Sequence, residues 1–468
     1  MREYLNNRIV GVIAPAGFGK TEEIVFAVSE SEGRQLVLTH TRAGVAALKE
    51  RLKRYNVEKN KYEVSTIASF CLKWCKAYPK HAELDDSFWN EKVDYQKVYL
   101  GATKVFENKW AVDVFKRSYA AVLIDEYQDC VETQHKLFMY LNQYIPVRIY
   151  GDPLQGIFYW IKNDPLVKWR DFSFPVVEPL QTPWRWKNTN PRLGDAVLNI
   201  RNELLPTLSG NNCRLTIENI PNTIVMVDSK TWNNGNFVYK IKGYKNIVYL
   251  TTIVQKQNSF SQHRGGYFQS DEPKDLSNIR ELLVHTDKIS GAKKALAWIN
   301  IVSDCANSVK TELKSYINNL EKGSTNFSRI KKHEEIGRII KAITEDCTPQ
   351  TIFEFLRSIN NSSNFKIYRK EYFFTIGRIY KYMIEENIGI EDAVDLLENN
   401  KYRMEQKPKF SRLSSRTVLT KGLEFECVIV DAFNEMDPRD FYVAITRATK
   451  MVYVLTDKRV LDFKGIKQ

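Results

Sequence analysis

The stretch Arg8-Ile9-Val10-Gly11-Val12-Ile13-Ala14-Pro15-Ala16-Gly17-Phe18-Gly19-Lys20-Thr21 decides the fold. It opens as a short β-branched run, passes through a glycine-bearing loop, and leads into TEEIVFAVSES, whose apolar residues recur at helical spacing. Strand, loop, helix is the setting in which backbone amides converge on phosphate. In such a loop Ala16, Gly17, Phe18 and Gly19 would line the phosphates, with the glycines permitting close backbone approach. Lys20 would neutralise β/γ charge, and Thr21 would offer a hydroxyl to Mg²⁺. Ala14 stands where the strict pattern asks for glycine.

Working outward, the same alternation recurs. QLVLTH precedes GVAALKERLKRY, AAVLIDE precedes ETQHKLFMYLNQY, and VRIYGD follows. Short apolar runs alternating with amphipathic stretches argue for a parallel sheet covered by helices. TIVMV, NIVYLTTIV, CVIVDAF and MVYVLTD form a second set of strands late in the chain. Two stretches interrupt the pattern: residues 72–117, rich in Lys, Trp, Tyr and Phe, and residues 263–409, rich in helix formers with Asn/Ser/Gly punctuation.

Val122-Leu123-Ile124-Asp125-Glu126 is an apolar strand that delivers two adjacent carboxylates to its C-terminal end, where open α/β sheets bind ligands. Asp125 suits Mg²⁺, and Glu126 suits polarisation of an attacking water. A strand ending in solvated acids is the bland alternative. A phosphate loop preceding this strand in one α/β core argues against it.

With these residues in hand, the chain resembles the UvrD/Rep/PcrA-type superfamily 1 helicases. Asp125-Glu126-Tyr127-Gln128-Asp129 is similar to their DEFQDT-type motif, residues 37 to 48 (VLTHTRAGVAAL) to motif Ia, and Ser65 to Phe70 to the TFHSF segment. Gly151 to Phe158 (GDPLQGIF) resembles GDxxQSIY, Leu180 to Arg185 (LQTPWR) motif IV, Lys421 to Phe425 (KGLEF) motif V, and Tyr442 to Ala448 (YVAITRA) motif VI.

The resemblance implies two RecA-like P-loop NTPase cores with parallel sheets, each carrying a mostly helical inserted subdomain. The expected boundaries are 1–71 with 118–178 for the first core, 72–117 for a short helical insert, 179–262 with 410–468 for the second core, and 263–409 for the long insert. ATP and Mg²⁺ are the implied ligands. Gln155 is implied as γ-phosphate sensor, and Arg185 and Arg447 as cations brought by the second core. Phosphoryl transfer is accelerated mainly by positioned positive charge, so arginines from a second core make hydrolysis depend on cleft closure. Trp184 is placed to stack on the base, and Glu424, with Gly422, near the nucleotide to couple it to the track. No glutamine motif precedes Ala14, Glu22 stands where relatives have arginine, and Ala68 and Val418 replace two family histidines.

For the nucleic-acid track the resemblance implies Thr39, Thr41, Arg42 and Thr66 as phosphate contacts, and Phe158 and Trp160 as base-stacking platforms. Lysine plus arginine number 69 against 56 acids, a net charge of +13 that favours an anionic partner. Single-stranded or partly duplex DNA is the expected partner, with 3′ to 5′ movement implied by the family. A separate nuclease is a further expected partner, because the chain resembles the helicase component of Gabija-type antiphage systems, in which case the ATP cycle would serve sensing more than unwinding.

Other classes recede. No apolar run of ~18 residues and no signal-peptide pattern is present, so no membrane partner is expected and the cytoplasm is the expected address. Seven scattered cysteines read as reduced thiols. Asp271-Glu272-Pro273-Lys274 superficially suits a nuclease pattern, but no strand is expected before it. Lys366 to Tyr372 mixes basic and aromatic residues that could touch duplex or a partner, and reads in preference as a solvated helix face with a buried aromatic stripe.

Overall fold

The structure of the chain, a computed structural model, describes residues 2–466 apart from 91–92, 160–162, 234–235, 273–275 and 404–410. Parallel sheets and many helices put it in the α/β class. Two compact units are present: residues 1–237 with 421–468, and residues 238–420. The expected second core, 179–262 with 410–468, therefore contributes residues to both.

In the first unit, strands β1 (Ile9–Ile13), β2 (Gln35–Thr39), β3 (Tyr62–Thr66), β4 (Ala121–Ile124), β5 (Val147–Gly151) and β6 (Val176–Val177) form one sheet. Their order is β3-β2-β4-β5-β1-β6, and every pairing is parallel. Side chains alternate across its faces, as a two-residue period demands. Val37, Leu123 and Tyr150 join Val10, Val12, Ile24, Val28, Leu48 and Leu52 on one side. This side is covered by helices α1 (Lys20–Glu30) and α2 (Arg42–Arg54). Leu36, Leu38, Val122, Ile124 and Ile149 face the other way.

On that second face, helix α3 (Ile67–Ala77) and the helices Tyr95–Phe106 and Lys109–Ser118 bury Phe70, Cys71, Cys75, Val105, Phe106 and Phe115. The described residues of the stretch 72–117 are mostly helical and share this core with the sheet. Truncating a buried aromatic such as Phe106 to alanine costs about 3–5 kcal/mol in lost transfer energy and cavity formation.

Because all six strands run the same way, β1, β2, β3, β4 and β5 release their following residues at one edge. That edge receives the phosphate loop, His40, Thr66, Asp125 and Asp152. Also in this unit, Phe425–Asp431, Ala448–Leu455 and Ile224–Val227 pair in parallel, and Cys213–Thr216 pairs antiparallel with Val460–Phe463.

In the second unit, Ile247–Thr251, Arg412–Arg416 and Gln269–Ser270 pair in parallel. The helices between Ser277 and Arg403 surround a core that includes Trp298, Phe355, Ile359 and Ile379. Helix Glu334–Glu345 buries Ile336, Ile340 and Ile343, the one-face spacing of an amphipathic helix.

The expectation that no strand precedes Asp271 is overturned, since Gln269–Ser270 pairs with Leu413 and Ser414 directly before it. Its acids are nonetheless committed. Ser415 donates to Asp271 Oδ2 at 2.7 Å, and Arg369 donates to both Glu272 oxygens at 2.7 and 3.0 Å. Lys274 lies outside the described residues. Lys366 to Tyr372 is not the single helix face expected: Lys366–Ile367 is a strand paired with Ala306–Asn307, a helix starts at Lys370, Tyr368 is buried and Arg369 sits 4.0 Å over the Tyr372 ring. Among the described residues no helix is long and apolar enough to cross a membrane.

Candidate nucleotide site and nucleic-acid interface

The phosphate loop leaves β1 with the Ala14 amide bonded to the Gly151 carbonyl at 2.9 Å. Gly17 and Gly19 take φ of +78° and +89°, the left-handed region that favours glycine. A Cβ on Gly17 would lie 2.8 Å from the Arg185 Cβ, and one on Gly19 would lie 3.0 Å from Trp184 Cδ1. Both positions thus combine a special backbone with a close approach. Phe18 is buried, and Thr21 sits half-buried in the first turn of α1.

Lys20 Nζ lies 2.8 Å from Glu126 Oε1 and 3.6 Å from Asp125 Oδ1. Burial works against its charge, but Glu126 and Asp125 outweigh burial and hold the ammonium above its ordinary value. Burial lifts Asp125 to about 6, against the pull of Lys20. The same burial opposes ionisation of Glu126, yet Lys20 and Lys421 drive that carboxyl below the usual carboxylate range. Glu126 holds φ of +57°, a costly conformation for a residue with a Cβ, and it is the point at which β4 hands its carboxylates to the edge. The hard oxygens of Thr21 and Asp125 beside the lysine suit a Mg²⁺-bound phosphate, and the glycine cradle leaves backbone close at hand.

The arginines reach the same place. The Arg185 amide donates to the Gly17 carbonyl at 3.0 Å, and its guanidinium bonds Glu424 Oε1 at 2.9 Å through Nε and 2.8 Å through Nη2. Its Nη1 donates to the Thr446 carbonyl. Arg447 is buried, donates to the Val443 carbonyl and Thr446 Oγ1 at 3.0 Å each, and is lowered to about 9 by burial and then by Arg185. Trp184 is 56% exposed, with Lys187 Nζ 4.3 Å from its ring centroid. Gln155 is buried, its Nε2 donating to Asp152 Oδ2 at 3.3 Å.

On the expected track, Thr39 is buried at the end of β2. Thr41 accepts from the Gly44 amide at 3.0 Å and caps α2, leaving Arg42 exposed at that helix start. Thr66 accepts from the Ser69 amide at 3.0 Å and donates to Ser69 Oγ at 2.7 Å, capping α3. Both hydroxyls therefore serve their helices first. Phe158 is half-buried with Lys421 Nζ 5.4 Å from its ring. Tyr159, exposed, donates to Asp440 at 2.6 Å and lies under Arg439. Trp160 lies outside the described residues.

Several residues central to this edge had no role in the sequence reading. Lys421 Nζ is 2.6 Å from each Asp129 oxygen and 2.7 Å from the Gln155 carbonyl oxygen. Asp152, fully buried, accepts from Gln155, from Tyr442 and, at 3.3 Å, from Arg201. His40 Nε2 lies 3.5 Å from Cys130 Sγ, and burial followed by Lys421 pushes the imidazole down to about 4. Each of these stands inside or beside a motif quoted above, except Arg201. Its signal is a lone arginine at a core-facing position of helix Pro191–Leu204.

Comparison with known proteins places this edge in a context. Residues 85–167, the span carrying β4, β5, Asp125, Glu126, Asp152 and Gln155, match the UvrD/REP helicase N-terminal domain. The Gabija protein GajB of Bacillus cereus (strain VD045) is 34% identical over 88 residues, 16% of this chain and 18% of that relative. The match thus spans less than a fifth of the relative's length. Among solved structures, the arterivirus nonstructural protein 10 helicase with DNA has a TM-score of 0.34 and 10% identity, covering 97% of this chain and 62% of that one. The Pif1 helicase from Bacteroides in complex with ADP-AlF3 and single-stranded DNA has a TM-score of 0.25 and 13% identity, covering 51% of this chain and 53% of that one.

Proposed function

We propose, from the premise that this chain is a UvrD-like superfamily 1 helicase by family, that it is an ATP-driven translocase on single-stranded DNA, running 3′ to 5′. One observation carries the reading: Lys20, the Asp125-Glu126 pair, Arg185 and Arg447 gather at a single sheet edge around a left-handed glycine loop.

Thr21 and Asp125 would hold Mg²⁺, which when bound supplies charge neutralisation across the phosphates. Lys20 and the loop amides bind the phosphate chain. Glu126, ionised at neutral pH, orients the attacking water and draws on its proton. Arg185 and Arg447 meet negative charge that develops in the transition state, where preorganised cations act without reorganisation. Arg185 also binds the phosphate loop through its own amide. The +13 net charge supports a polyanionic track, with Arg42 and Phe158 as its contacts.

The test is phosphate release by the purified chain, with and without single-stranded DNA or RNA in one buffer. DNA should stimulate turnover, and Lys20→Ala or Glu126→Gln should abolish it. Wild-type turnover in Glu126→Gln would refute the assignment of the base. A second reading, an ATPase that senses nucleic acid and gates a separate nuclease, draws support from the similarity to GajB. Strand displacement separates the two, since ATP turnover without displacement favours the second.

A further inference from the structure

One buried hydroxyl ties the phosphate loop to the turn that carries Gln155. Tyr442 projects from helix Pro438–Ile445 and is fully buried. Its Oη accepts the Ala16 amide at 3.1 Å and donates to Asp152 Oδ2 at 2.9 Å. That same oxygen takes the Gln155 Nε2 at 3.3 Å. The other oxygen, Oδ1, takes the Leu154 amide at 3.4 Å and Arg201 Nε at 3.3 Å. Asp152 is therefore a wholly buried carboxylate with donors from helix Pro191–Leu204, helix Pro438–Ile445 and its own turn, and Tyr442 is the donor that also touches the phosphate loop.

We propose that Tyr442 is a positioning residue for nucleotide hydrolysis: through Asp152 it sets where the Gln155 amide points, and through Ala16 it sets where the phosphate loop sits. This deepens the ATPase reading and rests on it. Two donors share the lone pairs of one oxygen. With the hydroxyl present, Asp152 Oδ2 divides its acceptor capacity between Tyr442 and Gln155, and the Gln155 side chain is held at the long end of hydrogen-bond range. Without it, Gln155 no longer shares that oxygen with a hydroxyl and draws closer to it, while the Ala16 amide loses its acceptor. The Gln155 backbone stays fixed throughout by Lys421 on its carbonyl. A tyrosine that merely satisfied a buried carboxylate would affect folding alone.

The full chain carrying Tyr442→Phe keeps the buried ring and loses both bonds. Three readouts are taken: affinity for a fluorescent non-hydrolysable ATP analogue, DNA-stimulated turnover, and thermal unfolding. The expected result is an affinity within about threefold of wild type and a kcat lower by about 10- to 100-fold, the scale of one hydrogen bond to a charged group. Turnover within twofold of wild type overturns the proposal, as does a parallel loss of affinity and turnover. If Tyr442→Phe lowers the folded fraction, turnover is counted per folded molecule, titrated with the analogue, at a temperature below both unfolding transitions. Turnover per folded molecule that stays low supports positioning, and turnover restored to within twofold of wild type overturns it. A wild type without turnover sinks the ATPase reading and this inference together. A wild type silenced by Glu126→Gln yet indifferent to Tyr442→Phe sinks this inference alone.

Discussion

Replacing Lys421 with methionine should destabilise the first unit in a pH-dependent way. Lys421 and Asp129 are 12% and 6% exposed, with both carboxylate oxygens 2.6 Å from the ammonium. Burial already lifts Asp129 from its ordinary 3.8 to about 6, against the pull of Lys421. A carboxyl raised on folding binds its proton more tightly in the native state, so its contribution to stability is present at low pH and is lost as pH rises from 3.8 through 6. At about 1.4 kcal/mol per pK unit, that shift is worth about 3 kcal/mol.

The Lys421→Met variant takes away the opposing charge. Above pH 7 Asp129 is then buried ionised and unpaired, or protonated at a cost, and the loss is about 3–5 kcal/mol. At pH 5 the carboxyl is protonated in both proteins, and the difference shrinks to about 1 kcal/mol for the remaining hydrogen bonds. At ~2 °C per kcal/mol for a unit of this size, Tm falls by about 6–10 °C at pH 8 and by about 2 °C at pH 5. Thermal melts at the two pH values measure this directly, and Asp129→Asn in the methionine background should recover most of the loss at pH 8. An equal loss at both pH values, with no recovery from Asp129→Asn, would refute the reasoning.

Two further outcomes follow from the same edge. Trp184→Ala should raise the nucleotide KM by about 3- to 10-fold with kcat retained, the worth of one aromatic stack, and steady-state kinetics decide it. Arg201→Met strands Asp152 without its guanidinium, and urea melts at neutral pH should show a loss of about 3–5 kcal/mol.

The strands most visible in the sequence were those buried on both faces. AVLI, VRIYG and the CVIVD portion of Phe425–Asp431 read as apolar runs because helices cover them twice. Arg412–Arg416 (RLSSR) did not, although Ser414 and Ser415 are fully buried. Their hydroxyls are satisfied by the Gln257 carbonyl and by Asp271, partners that only the folded chain brings near. The site divides in the same way. Lys20, Asp125 and Glu126 were readable because local spacing ties them to a strand end. The pairings of Lys421 with Asp129 and of Tyr442 with Asp152 span hundreds of residues, and no periodicity encodes them. Thr41 and Thr66 were legible as polar motif residues, but an N-cap and a phosphate contact look alike until the helix start is located.

The two indoles flanking the phosphate loop differ in a way that light can report. Trp186 is sealed, its Nε1 donating to the Ala448 carbonyl at 2.7 Å, while Trp184, two positions earlier, is open to water beside Gly19. A soluble collisional quencher therefore reaches Trp184 and spares Trp186. A nucleobase lying on Trp184 would shield it, so the iodide-sensitive share of the emission, compared with that of a Trp184→Phe chain, makes an intrinsic optical gauge of nucleotide arrival.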